Sequence, residues 1–432
     1  MFVLLALLQV ASPAAAPRAS ADTLPVITLS EARRRAIDVA PEHVAAAADV
    51  DAAGWDRRAA LSAIVLPDVT LSSDATRFST ESFNIGTGRP QLTSVTARLD
   101  ASYDLFTGGR KWNELRRARA SLESARANEV LARFQVELGA DEDYFAALAG
   151  EELVSVAEER VRRADEELTV ARARVLSGAA VQSDSLQVRL ELLRARVDLL
   201  RQQSALRVAR LQLGRRVGAD GAIRAAPVDT AALPPLPIAL DAAVVEALSR
   251  GPAYDAARAD EAAAAATVSA RRGSYFPQLT LGATAFAFDD QFFPTATTRQ
   301  ALTITATLPV WNGGQRELAV AEARAVHERT RAVRRDLERA ARRDVTEAYE
   351  GYETARAAHD LAAQGLAVAR ENFRVQDARY RAGAASVLDL LDAQLALTQS
   401  EADLVQSRLD VRTALARLEA ILGRHLFSTE AL

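Results

Sequence analysis

The sequence predicts an α+β membrane protein made of two internal repeats. Each repeat joins a β-hairpin to a long antiparallel coiled-coil hairpin, so one protomer carries four strands. Three observations predict this. Leu105-Phe106-Thr107-Gly108-Gly109-Arg110 recurs in the second half of the chain as Val310-Trp311-Asn312-Gly313-Gly314-Gln315. The same offset relates Tyr144 to Tyr349, Gly178 to Gly383, Asp184 to Asp389 and Gly218 to Gly423, which marks a duplication. Each copy of the Gly-Gly motif ends a run of alternating apolar and polar residues and opens a helical pattern close to seventy residues long.

Composition agrees. Aromatics are 5% of 432 residues, with one Met and 20 Gly, while Ala, Leu, Arg and Glu fill the long segments. That is the profile of long helices with a thin apolar seam. The net charge of −4 gives no reason to expect nucleic acid. Without cysteine there is no disulfide, thiolate metal site or catalytic thiol. His43, His327, His359 and His425 are scattered, and no nucleophile elbow, P-loop or metal-ligand cluster is present. Neither an enzyme nor a cofactor is expected.

Taken in order, residues 1–21 read as a secretory signal peptide. Phe2–Val10 is almost wholly apolar, and small residues fit cleavage after Ala16 or Ala21; a buried N-terminal helix is the alternative. Residues 22–67 read as helical, interrupted at Pro41. Residues 68–105 form the first β-hairpin, with strands near Asp68–Thr80 and Leu92–Leu105 and a loop at Glu81–Gln91 marked by Gly86, Gly88 and Pro90. In the second strand Val95, Ala97, Leu99, Ala101, Tyr103 and Leu105 share one face, opposite Thr96, Arg98, Asp100, Ser102 and Asp104.

Residues 106–214 form the first long helical hairpin, turning at Gly178, and 215–239 an irregular, Pro-rich connector. The second repeat then follows as one N-terminal helix (240–276), a β-hairpin (277–310), a helical hairpin turning at Gly383 (311–423) and a short tail (424–432). Leu186, Leu190, Leu193, Val197 and Leu200 are spaced as an a/d seam for antiparallel coiled-coil packing. Their repeat partners from Leu391 to Leu409 hold the same register.

Strands of about ten residues with one apolar face suit a transmembrane barrel. Phe78, Phe83, Phe106, Phe288, Phe292, Phe293 and Trp311 lie near the strand ends, where interfacial girdles belong. Half of a soluble sandwich is the alternative. Four strands leave edges whose unpaired backbone groups are costly in lipid. Three copies would supply twelve strands and enclose a lumen, so a homotrimer is expected.

The arrangement resembles the TolC-like outer membrane efflux proteins. It rests on strand-loop-strand, Phe/Trp-x-Gly-Gly, a very long helix and a Gly turn, all twice over. Arg379-Tyr380-Arg381-Ala382-Gly383-Ala384-Ala385-Ser386, followed by Asp389 and Asp392, is similar to that family's second tip hairpin. The resemblance covers essentially the whole mature chain. It implies a passive trimeric channel-tunnel, with a twelve-stranded barrel in outer membrane lipid and an α-barrel through the periplasm. It implies as partners a periplasmic adaptor and an inner-membrane pump of RND or ABC type. It implies an entrance ringed by Asp184, Asp389 and Asp392 with Tyr380 as a gate residue, and adaptor contacts at Gly178, Gly383 and Ser386. Gly108, Gly109, Gly313 and Gly314 form the strand-to-helix turns. The sequence departs from the family at Ala385, where a gate arginine is expected; Arg379 or Arg381 could substitute. For the acids, a solvated position at a helix start is the alternative. For the whole chain, the alternative is a periplasmic coiled-coil scaffold without a barrel.

Overall fold

The computed structural model describes residues 24–84, 88–228, 234–289 and 297–427. The expected signal segment, and Gly86, Phe292 and Phe293 of the hairpin loops, lie outside the described residues. In chain order the elements are β1 (Val26–Ile27), α1 (Leu29–Val39), α2 (Pro41–Val65), β2 (Asp68–Asn84), β3 (Arg89–Phe106), α3 (Arg110–Leu176), α4 (Gln182–Arg216) and β4 (Arg224–Ala225), then α5 (Leu240–Arg250), α6 (Pro252–Arg272), β5 (Gln278–Asp289), β6 (Thr297–Thr307), α7 (Gln315–Arg381) and α8 (Val387–Leu422).

The two long helices α3 and α7 are each 67 residues, about 100 Å of continuous helix. Each begins at a Gly-Gly turn in which both glycines take positive φ: 60° and 77° at Gly108 and Gly109, and 71° and 81° at Gly313 and Gly314. A side chain resists that region, and two in succession swing the chain sharply from strand into helix.

The four long strands form one sheet in the order β2-β3-β5-β6, antiparallel throughout. Its rows alternate in character. Val69, Ala101, Ala283 and Leu302 lie in register across one row, and Leu71, Leu99 and Ala285 across another. Val69, Leu71, Leu99, Leu302 and Ile304 are exposed, so this face has no cover within the protomer. On the opposite face Thr284 donates to Asp100 at 2.8 Å, Thr280 donates to Asp104 at 2.9 Å and Lys111 pairs with Asp104 at 3.4 Å.

The first hairpin is longer than its sequence suggests. Ser82, Phe83 and Asn84 pair with Gln91, Pro90 and Arg89 beyond an irregularity after Arg77, inside the stretch read as loop. Pro90 is tolerated because β5 pairs with β3 only from Val95 onward, so no second neighbour needs its missing N–H. In the second hairpin β6 stops at Thr307, short of the expected Val310. Pro309 follows, and its carbonyl accepts from Arg316 at 2.6 Å.

A second difference lies at residues 240–276, where one helix is expected and two are found. Gly251 is extended at ψ 132° because Pro252 follows it, and Pro252 opens α6 at its first turn. The first repeat breaks the same way at Ala40-Pro41.

The helices lie four abreast. Beside the sheet the order is α2–α3–α6–α7; towards the hairpin turns it is α4–α3–α8–α7. Two of these columns are built from two helices meeting end to end. A Cβ on Gly423, just past α8, would fall 2.7 Å from Pro252, which begins α6. A Cβ on Gly218, just past α4, would fall 2.8 Å from Val39. Around this level the connectors pack in matching ways: Tyr144 donates to Ala226 O at 2.7 Å, and its repeat partner Tyr349 donates to Ile238 O at 3.2 Å. The connector read as irregular contributes β4, which pairs in parallel with β1.

The predicted seam faces an unexpected way. α4 buries Val188, Leu192 and Ala195 against the rest of the chain, whereas Leu186, Leu190, Leu193, Val197 and Leu200 on its opposite side are exposed. α2, which continues this outer column towards the sheet, has no buried residue at all. On the far edge, α7 exposes Val326, Val333, Leu361, Val368 and Val375, all at one heptad position.

Candidate functional site at the helical tips

Both helical hairpins turn through a glycine at positive φ, 75° at Gly178 and 80° at Gly383. The bonding around them is duplicated. Gly178 N–H donates to Val175 O at 3.1 Å and Ala179 N–H to Arg174 O at 2.8 Å; Gly383 donates to Tyr380 O at 3.0 Å and Ala384 to Arg379 O at 2.8 Å. Each arginine folds back on its own turn, Arg174 towards Ala179 O at 3.4 Å and Arg379 towards Ala384 O at 3.3 Å.

The copies then diverge. Arg174 reaches across to the second hairpin, where it donates to Tyr380 O and lies 4.4 Å from the centre of the Tyr380 ring. Tyr380 is 1% exposed, and its hydroxyl has no hydrogen-bond partner among the described residues. Burial pushes this phenol above its ordinary range; the nearby Arg174 opposes the shift, and Asp184 and Glu167 add to it. Arg379 and Arg381 do not replace the missing arginine of the turn as a cross-link. Arg379 stays on its own turn, and Arg381 pairs with Asp377 at 2.8 Å on its own helix. Arg174 makes the cross-link, and its repeat relation to Arg379 is the only sign of it in the sequence.

The acids have distinct settings. Ser386 and Asp389 form a capping box: Ser386 N–H donates to Asp389 Oδ2 at 3.0 Å, and Asp389 N–H donates to Ser386 Oγ at 3.2 Å. The Ser386 hydroxyl also donates to Asp389 Oδ2 at 2.8 Å, and this bond, with that from Ser386 N–H, holds the Asp389 carboxyl below the usual carboxylate range. The first copy has Val181 in the capping position and no such box. Asp392 is exposed and Asp184 half-buried.

The cap separates two effects of one side chain. Asp389→Ala should loosen the α8 start, read as faster amide exchange over residues 387–394. Asp389→Asn, which removes the charge but keeps an acceptor, should exchange close to wild type. Equal acceleration in both variants would mean that charge, not capping, orders the turn.

A sheet with one uncovered apolar face, continued by tall helical hairpins whose side edges are also uncovered, is a segment of a channel wall. The model of the outer membrane efflux protein family matches residues 29–219 and 243–424, and the chain belongs to that family. It is an outer membrane export channel protein and not an enzyme. It is 30% identical over 382 residues to the pyoverdine export outer membrane protein OpmQ of Pseudomonas putida, across 83% of this chain and 78% of that one. Among solved structures, CusC superposes with a TM-score of 0.80 at 18% identity, covering 92% of each chain. The outer membrane protein VceC of Vibrio cholerae superposes with a TM-score of 0.76 at 19% identity, covering 92% of this chain and 97% of its own. Among the described residues no helix is long and apolar enough to cross a membrane.

Proposed function

We propose that three copies of this chain close side by side into a channel-tunnel, the passive exit duct of a tripartite export system. The hairpins at 68–105 and 277–310 build a twelve-stranded outer membrane barrel. The helical hairpins at 106–214 and 311–423 build a periplasmic tunnel that narrows at the tips.

One observation carries the closure. Leu186, Leu193 and Leu200 climb α4 from the Gly178 turn in steps of one heptad, and Val375, Val368 and Leu361 climb α7 from the Gly383 turn in the same steps. Leu186 follows Gly178 at the same sequence distance at which Val375 precedes Gly383. The two exposed stripes therefore stand at equal heights above the tips, on opposite edges of one wall. Edges that match each other but not themselves join head to tail, and such contacts close into rings. In the sheet, β6 of one copy meets β2 of the next, which pairs the backbone groups that lipid would leave unsatisfied.

At the tips, Asp184, Asp389 and Asp392 line the entrance from each copy, and a ring of carboxylates favours cations. Arg174 and Tyr380 pin the two hairpins together in the closed form. The tips at Gly178, Gly383 and Ser386 stand open as contact points for a periplasmic adaptor, through which an inner-membrane pump of RND or ABC type delivers cargo. The name of the relative OpmQ, a pyoverdine export protein, makes pyoverdine the first cargo to test.

Conductance across planar bilayers tests this reading. Arg174→Ala should raise single-channel conductance several-fold, and Asp392→Asn should reduce cation preference. An absence of any conducting state in wild type and in Arg174→Ala would overturn the duct.

A further inference from the structure

One acid above the tips has no role in the arrangement so far. Glu167 sits on the face of α3 that carries Ala164, Leu168 and Ala171 into the apolar core between the two hairpins. It is 3% exposed, and neither carboxylate oxygen has a hydrogen-bond partner among the described residues. A buried ionised carboxyl without donors is costly, so its surroundings decide its charge.

The cations around it are engaged elsewhere. Arg163, one turn above on α3, pairs with Glu401 of α8 at 2.8 Å. Arg381 of α7 pairs with Asp377 at 2.8 Å. From α4, Glu191 faces it but already accepts from Arg160 at 2.5 Å. Burial opposes its ionisation most, Asp377 and Glu191 add to that, and Arg163 and Arg381 offset only part of it. On the α8 side, the Arg163–Glu401 contact sets an antiparallel register that brings Gln394 to within about a turn of its level. Gln394 is 1% exposed, and both its amide atoms are likewise unpartnered. Tyr380, whose hydroxyl is also unpartnered, belongs to the same core.

We propose that Glu167 is a proton-operated catch between the two helical hairpins. As the neutral acid it stays packed between α3, α7 and α8. When it gives its proton to solvent, the charge draws it towards water and the hairpins loosen from one another. The function of the catch rests on reading the tips as the entrance of a duct.

The sign of the linkage follows. The carboxyl is pushed up to about 8 in the packed tip, against an ordinary 4.5 once hydrated. The packed tip therefore holds a proton that the loosened tip has lost. Its advantage is full below the hydrated value, falls up to tenfold per pH unit as pH rises towards about 8, and then levels.

Amide exchange of the purified trimer, corrected for the intrinsic pH dependence of exchange, measures this opening over residues 164–171 and 373–380. Wild type should open progressively more between pH 5.5 and 8. Glu167→Gln should remove the slope, and Glu167→Leu should give the same flat profile in a tip that is at least as stable. Asp377→Asn, by removing the opposing charge, should shift the levelling point to lower pH. An unchanged slope in Glu167→Gln, or a flat wild-type profile, would overturn the catch. Conductance recorded in parallel separates the two readings: a sloping exchange profile without conductance at any pH sinks the duct, whereas conductance with a flat profile sinks the catch.

Discussion

Gly108→Ala should nearly abolish folded protein, whereas Gly313→Ala, the same change in the other repeat, should be tolerated. Both glycines have positive φ, 60° and 71°, so each substitution bears a backbone strain of about 1–2 kcal/mol. Their surroundings decide the rest. A Cβ on Gly108 would overlap Phe276 Cβ and come within 2.8 Å of Gly273 O, where the first strand-to-helix turn packs against the end of α6. A Cβ on Gly313 would meet nothing within 4 Å. Overpacking against backbone adds roughly 1–3 kcal/mol to the strain, a large fraction of an ordinary domain's stability. The measurement is the yield of heat-modifiable trimer in the outer membrane fraction. Equal yields from the two variants would refute the packing asymmetry.

Leu193→Glu should leave the protomer folded but prevent assembly. Leu193 is half-exposed in the single chain, so the change costs little there. In the closed ring it would place a charge opposite Val368 of the next copy, once at each of three seams. Burying a leucine contributes ~1.5–3 kcal/mol, and an unpaired buried charge costs more. Trimer formation should fall by well over a hundredfold on native mass measurement in detergent. Val368→Arg combined with Leu193→Glu should restore part of it, because the two sites face each other only between neighbouring copies. No rescue, with both single variants defective, would mean that the stripes do not meet.

Much of this architecture is legible in the sequence. The constant offset between the Gly-Gly motifs exposes the duplication, and period-two alternation assigns strand faces that the sheet register matches row by row. Two things are harder to see. The offset between Pro41 and Pro252 is larger than that between the Gly-Gly motifs, because β2 and β3 are longer than β5 and β6. A search at the constant offset therefore conceals the Gly251-Pro252 break. Periodicity, moreover, identifies an apolar stripe without identifying its partner. The heptad from Leu186 to Leu200 is plain in the sequence, but it lies on the outer side of α4. At the tips the turn glycines and acids are evident. Arg174 is not, since its reach to Tyr380 depends on how two hairpins distant in sequence come together. Glu167 leaves one trace: an acid amid Ala164, Leu168 and Ala171.

The end-to-end meetings of α8 with α6 and of α4 with the α1–α2 corner have a mechanical consequence. In each protomer two columns run unbroken from the sheet towards the tips and alternate with two that are jointed at mid-height. Continuous staves resist stretching along the axis, while the joints let adjacent staves slide. In the proposed cylinder such a frame would keep its length while the jointed columns slide against the continuous ones.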